Sequence, residues 1–154
     1  MAAGWQYLMR LTSTGTHTMF TLSINWLAVL LSTVALQMLG AAWFMGVIPK
    51  PYALALERTD LVDRKPEPIF IAGPLLCGLV VTVANAILLR SFHIDTMPDA
   101  LVFGAISGIG YLVATVFNVA INPNIPRPVL YGAINAPYFL LSNLVSCAIL
   151  TAMP

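Results

Sequence analysis

Four stretches of this chain, about residues 21–48, 69–89, 100–121 and 129–152, contain no Asp, Glu, Lys, Arg or His. Each is long enough to cross a hydrocarbon layer of roughly 30 Å, which takes about 20 helical residues. In lipid every backbone N–H and C=O must find its partner within the protein, so runs of this length span as helices. The fold class expected is all-α, an integral membrane four-helix bundle with short loops. Composition agrees. The 154 residues are 59% hydrophobic and 8% charged, and mean hydropathy is +0.88. A soluble domain carries about 25% charged residues, so this chain could not cover a water-facing surface. Net charge is +1, and no basic run exists to follow a phosphate backbone, which excludes a nucleic-acid partner. The lipid bilayer is the partner that composition requires.

The chain divides into an N-terminal tail, residues 1–18, and a transmembrane domain, residues 19–154. The tail is too polar to span and is expected to be disordered or interfacial, with Trp5 and Tyr7 suited to the headgroup level. It does not read as a signal peptide, because the apolar run from Met19 to Ile48 far exceeds an h-region of about 7–15 residues. The first connection, Pro49 to Pro68, holds eight of the thirteen charged side chains. It also holds a segment, Tyr52 to Arg58, able to form a short surface helix. In the second connection Thr96 and Asp99 have capping-box spacing, with Pro98 in the first turn. That reading is preferred to a metal site made by His93, Asp95 and Asp99, and neither a metal nor another cofactor is expected. The third connection, Asn122 to Pro128, is proline-set and cannot be helical. Pro137 lies inside the fourth span and should kink it near Ala133. Lys50, Arg58, Arg64, Lys65 and Arg127 fall in the first and third connections, against Arg10 and Arg90 elsewhere. Five against two places those connections in the cytoplasm and both termini outside it.

Inside the spans the informative residues are small or amide-bearing. On a regular helix Gly104, Gly108, Tyr111, Thr115, Asn118 and Asn122 share one stripe. Gly78 and Gly132 hold similar places in the second and fourth spans, so Gly78, Gly104, Gly108 and Gly132 are the expected helix-packing positions. Asn25, Gln37, Asn85, Tyr111, Asn118 and Asn135 are candidates to line a polar cavity. None of them titrates near neutral pH, and no span holds an ionisable acid or base for proton coupling or for general acid–base chemistry. An enzyme is therefore not expected. Two readings remain. In the first, the amides lock a packing or accessory subunit that works with copies of itself or within a larger membrane complex. In the second, they surround a neutral or lipid-like molecule in a small carrier. Cys77 and Cys147 differ in expected depth by roughly 15 Å, too far for a disulfide.

Certain short segments carry a resemblance. Ile24-Asn25-Trp26-Leu-Ala-Val-Leu opens the first span and Gly40-Ala-Ala-Trp43-Phe44 closes it. Asn118 lies late in the third, and Ile134-Asn135-Ala-Pro-Tyr138 in the fourth. Together they resemble the bacterial membrane proteins grouped as domain of unknown function 1761, over roughly Met19 to Met153. The resemblance implies a four-span protein of the bacterial cytoplasmic membrane and supplies no activity.

Overall fold

The computed structural model describes residues 23–58 and 67–154. The tail at 1–18 and the charged stretch 59–66 lie outside the described residues. Five helices follow in order. Helix α1 runs Trp26–Val47, α-helical to Ala41 and closing with a wide π-helical turn, Ala42–Val47. Helix α2 is Pro49–Ala55 and α3 is Ile69–Ser91. Helix α4 runs Met97–Ala120 and has its own π-helical turn at Gly108–Val113. Helix α5 is Pro128–Ala152. All but α2 are long and apolar enough to cross a membrane, and no strand occurs among the described residues.

Local chemistry sets the helix ends. The Asn25 side-chain oxygen accepts from the Leu27 and Ala28 N–H groups, both at 3.1 Å, and so caps α1. Thr96 caps α4 as its spacing predicts. The Asp99 N–H donates to Thr96 Oγ1 at 3.3 Å, and the Thr96 hydroxyl donates to the Asp99 carboxylate at 2.6 Å. Proline at the first position of α5 gives up an N–H that had no partner there anyway. Two helices end in Schellman motifs built on residues other than glycine. After α3, His93 N–H bonds to the Arg90 carbonyl and Ile94 N–H to that of Leu89. After α2, Glu57 N–H bonds to Leu54 and Arg58 N–H to Ala53. The pivots His93 and Glu57 accordingly have φ of 53° and 52°.

Helix α5 is the hub, packing against each of the other four. Its most apolar window is 44% buried, against 17% for α3 and α4. Lipid tails are as apolar as leucine, so helices gain little by hiding leucines from them. Close backbone approach and interhelical hydrogen bonds decide packing instead. The buried face of α5 fits that rule, with Gly132, Asn135, Ala136, Ser142, Asn143, Ser146 and Cys147.

The helical assembly is tight at one end and open at the other. Ala28, Val29, Ala86, Leu89, Ala100, Cys147 and Leu150 form its apolar core, near the second connection. There too the Asn25 amide donates to the Met153 carbonyl at 3.3 Å, holding the start of α1 to the end of α5. Toward the other end the first half of α3 is largely exposed, and its buried residues, Thr82, Asn85, Ala86 and Leu89, all lie in its second half. That open end is fastened by aromatic rings. Phe44 meets Tyr52 at 5.3 Å and Tyr138 at 5.0 Å, and Tyr52 meets Tyr131 at 5.9 Å. Burial, with Tyr131 beside it, pushes the Tyr52 phenol up to about 12. Arg127 pairs with Glu57 at 3.5 Å, which puts the first and third connections on the same side.

Candidate functional site

The polar residues of the spans gather into a buried knot that ties four helices together. Asn143 of α5 is its centre. The Asn143 amide donates to the Gly104 carbonyl at 2.8 Å and to Ser107 Oγ at 2.9 Å, both on α4. The Asn143 side-chain oxygen accepts from the Asn85 amide of α3 at 2.9 Å. Asn85 also reaches Ser146 Oγ at 3.4 Å, and Ser146 accepts from the Ser32 hydroxyl of α1 at 3.2 Å. Ser32, Asn85, Asn143 and Ser146 are all buried. Their depths match. Ser32 is six residues from Trp26, Asn85 six from Ser91, and Ser146 six from Ala152. At 1.5 Å per residue each therefore lies about 9 Å in from the same end. Thr82 Oγ1 and Ser142 Oγ, also buried, have no hydrogen-bond partner among the described residues.

Of the six candidate cavity residues, only Asn85 belongs to this knot. Asn25 is committed to capping α1 and to holding the end of α5. Gln37 is half-buried on α1. Asn135 is buried and its amide turns back to the Tyr131 carbonyl of its own helix at 2.7 Å. Tyr111, 74% exposed, meets Asn135 only along an apolar groove between α4 and α5. Asn118 is exposed on the outside of α4, two residues from its end. The expected convergence on one interior is not what the structure has.

The reason lies in the wide turn at Gly108–Val113. A regular helix advances 100° per residue, and a π turn holds an extra residue, so every later side chain moves to another face. Above the turn Gly104 and Gly108 are buried as the stripe predicts. From Tyr111 on, the half-buried or buried positions are Leu112, Val113, Val116, Phe117 and Ala120, while Tyr111, Thr115 and Asn118 are exposed, Tyr111 and Thr115 along the groove beside α5.

Three of the four packing glycines lie where helices come closest. A Cβ at Gly104 would sit 3.3 Å from Cys147 Sγ, one at Gly108 2.9 Å from Leu140 Cδ1, and one at Gly132 would run into the Phe117 ring. Gly78 differs, with nothing within 4 Å of that position, because the first half of α3 stands away from its neighbours. Sequence reasoning passed over Ser32, Ser107 and the central place of Asn143. Counting depth from the shared end would have found them. His93 and Asp99 are engaged in a helix terminus and a cap, and no three His, Cys, Asp or Glu side chains gather to hold a metal among the described residues.

The two segments that close α1 and open α5 pack face to face. A Cβ at Gly40 would lie 2.9 Å from the Tyr138 hydroxyl, and Trp43 Nε1 donates to the Ile134 carbonyl at 3.2 Å. These are the same segments that carry the family resemblance. A family model described as a protein of unknown function, DUF1761, matches residues 27–151. The chain belongs to that family. The match begins directly after Trp26 and takes in all four long helices, so the DUF1761 unit is the whole helical assembly with its knot. No curated protein and no solved structure matches the chain.

Proposed function

We propose that this DUF1761 protein is a non-enzymatic packing subunit of the bacterial cytoplasmic membrane that works by associating with copies of itself. The observation that carries this is the division of α4. Gly104 and Gly108 press against α5, whereas Gly110 has nothing within 4 Å of its Cβ position and lies on the outer face. Ala114, four residues on, is exposed as well, beside exposed Tyr111, Thr115 and Asn118. A small-xxx-small pair flanked by hydroxyl and amide groups lets a second helix approach closely and form hydrogen bonds, the two forces that drive association in lipid. The polar knot supports the non-enzymatic part, since its amides and hydroxyls are spent on one another. A carrier built from the six candidate residues would need them around one cavity, and they occupy separate places. By the distribution of Lys and Arg, both termini face away from the cytoplasm.

Cross-linking in native membranes through a single exposed cysteine tests the proposal, using Thr115→Cys with Cys77→Ser, since Cys147 is buried. A discrete species of twice the mass is expected, and a strictly monomeric protein would sink it.

A further inference from the structure

At the tight end of the helical assembly a cavity of about 250 Å³ opens between α1, α3 and α5, under the second connection. Its floor is apolar and buried, made by Ala28, Ala86, Leu89 and Leu150. Two opposite charges line it, Arg90 from the last turn of α3 and Asp95, brought round by the Schellman reversal at His93. Neither has an ion-pair partner among the described residues. The Thr151 hydroxyl also lines it, buried and without a hydrogen-bond partner among the described residues. Asn25 lines it as well, but its side chain is already bonded at both ends. The cavity thus offers a guanidinium, a carboxylate and an unused hydroxyl above an apolar floor. It lies at the depth where α3, 23 residues long, ends, about 34 Å from its start at 1.5 Å per residue.

We infer that this cavity is a binding site for a zwitterion carrying a phosphate and a primary ammonium, the chemistry of a phosphoethanolamine headgroup. Arg90 takes the phosphate oxygens in a forked, charge-assisted contact, and Asp95 takes the ammonium. Thr151 donates to a remaining phosphate oxygen, and the apolar floor receives the carbon chain next to it. A choline headgroup has no N–H for Asp95, and a glycerol headgroup has no cation at all. Arg90 alone would bind any phospholipid phosphate by snorkelling, so Asp95 is what makes the site selective.

The test is thermal unfolding of the full chain in detergent micelles. Phosphatidylethanolamine, phosphatidylcholine, phosphatidylglycerol or soluble phosphoethanolamine is titrated in. Phosphatidylethanolamine is expected to protect at the lowest concentration, and Asp95→Asn to weaken that protection roughly tenfold, the loss of about one charge-assisted hydrogen bond. Arg90→Gln should weaken protection by every phospholipid. Asp95 is exposed, so Asp95→Asn leaves the unliganded melting temperature unchanged. Protection by soluble phosphoethanolamine equal to that of the lipid supports the site and assigns it to a free zwitterion. Equal protection by phosphatidylglycerol, or an Asp95→Asn protein that still prefers phosphatidylethanolamine, overturns it.

Discussion

Replacing Asn143 by leucine removes the centre of the polar knot while keeping the branching and heavy-atom count of the side chain. Three hydrogen bonds disappear, to the Gly104 carbonyl at 2.8 Å, to Ser107 Oγ at 2.9 Å and from the Asn85 amide at 2.9 Å. Interhelical bonds of this kind in membranes average about 0.6 kcal/mol and reach roughly 1.7. Three of them therefore predict a loss of about 2 kcal/mol, with a ceiling near 5. The damage is uneven. Ser107 keeps its bond to the Phe103 carbonyl at 2.7 Å, while Asn85 keeps only the 3.4 Å contact to Ser146. The assay is reversible unfolding in mixed micelles, followed by tryptophan fluorescence. Asn118→Leu, measured at a dilution where the protein is monomeric, is the matched control, an amide removed from the exposed face of α4, and it should change stability by less than about 0.5 kcal/mol. An Asn143→Leu protein as stable as the wild type would refute the knot as the element that fastens the helices. So would an equal cost at Asn118.

Three further outcomes follow from particular contacts. Gly132→Ala sets a Cβ against the Phe117 ring and should cost about 1–3 kcal/mol by overpacking, with Phe117→Leu restoring much of the loss in the double variant. His93→Gly should raise the unfolding free energy by about 1 kcal/mol, since only glycine adopts φ near 53° without strain; a loss of stability would mean that the imidazole has a role beyond the helix end. Tyr52, held protonated by burial and by Tyr131, contributes stability that is whole below pH 10 and is lost as pH rises through about 12. Unfolding measured from pH 8 to 12.5 should show that alkaline decline and should lose part of it in Tyr52→Phe.

Much of the fold was legible because lipid leaves a chain few choices. Runs of 20 or more apolar residues without an ionisable group must be helices. Thr96 with Asp99 marked a helix start by chemistry that acts within one turn, whereas Pro128, assigned to the third connection, is the first residue of α5. The site was less legible, for a reason visible in α4. The stripe from Gly104 to Asn122 assumes a constant 100° per residue, and the turn at Gly108–Val113 breaks that assumption. Gly104 and Gly108 kept their face, and Tyr111, Thr115 and Asn118, within and after the break, are exposed. The pair Gly108 and Gly110 is the signal that a turn there can widen, since neither residue has a side chain to resist it. Asn143 was hidden differently. Its importance comes from α3 and α4 meeting α5 at one depth, and no single helix displays that.

The oligomeric state of the protein in lipid nanodiscs, compared between wild type, Gly110→Leu and Gly108→Leu, tests the central claim most directly. Gly110 has open space around it, so its leucine variant should unfold as the wild type does but remain monomeric where the wild type is oligomeric. Gly108→Leu meets Leu140 at close range and should lose stability as well. A wild-type protein that is monomeric at every protein-to-lipid ratio, or a Gly110→Leu protein that assembles unchanged, would contradict the account.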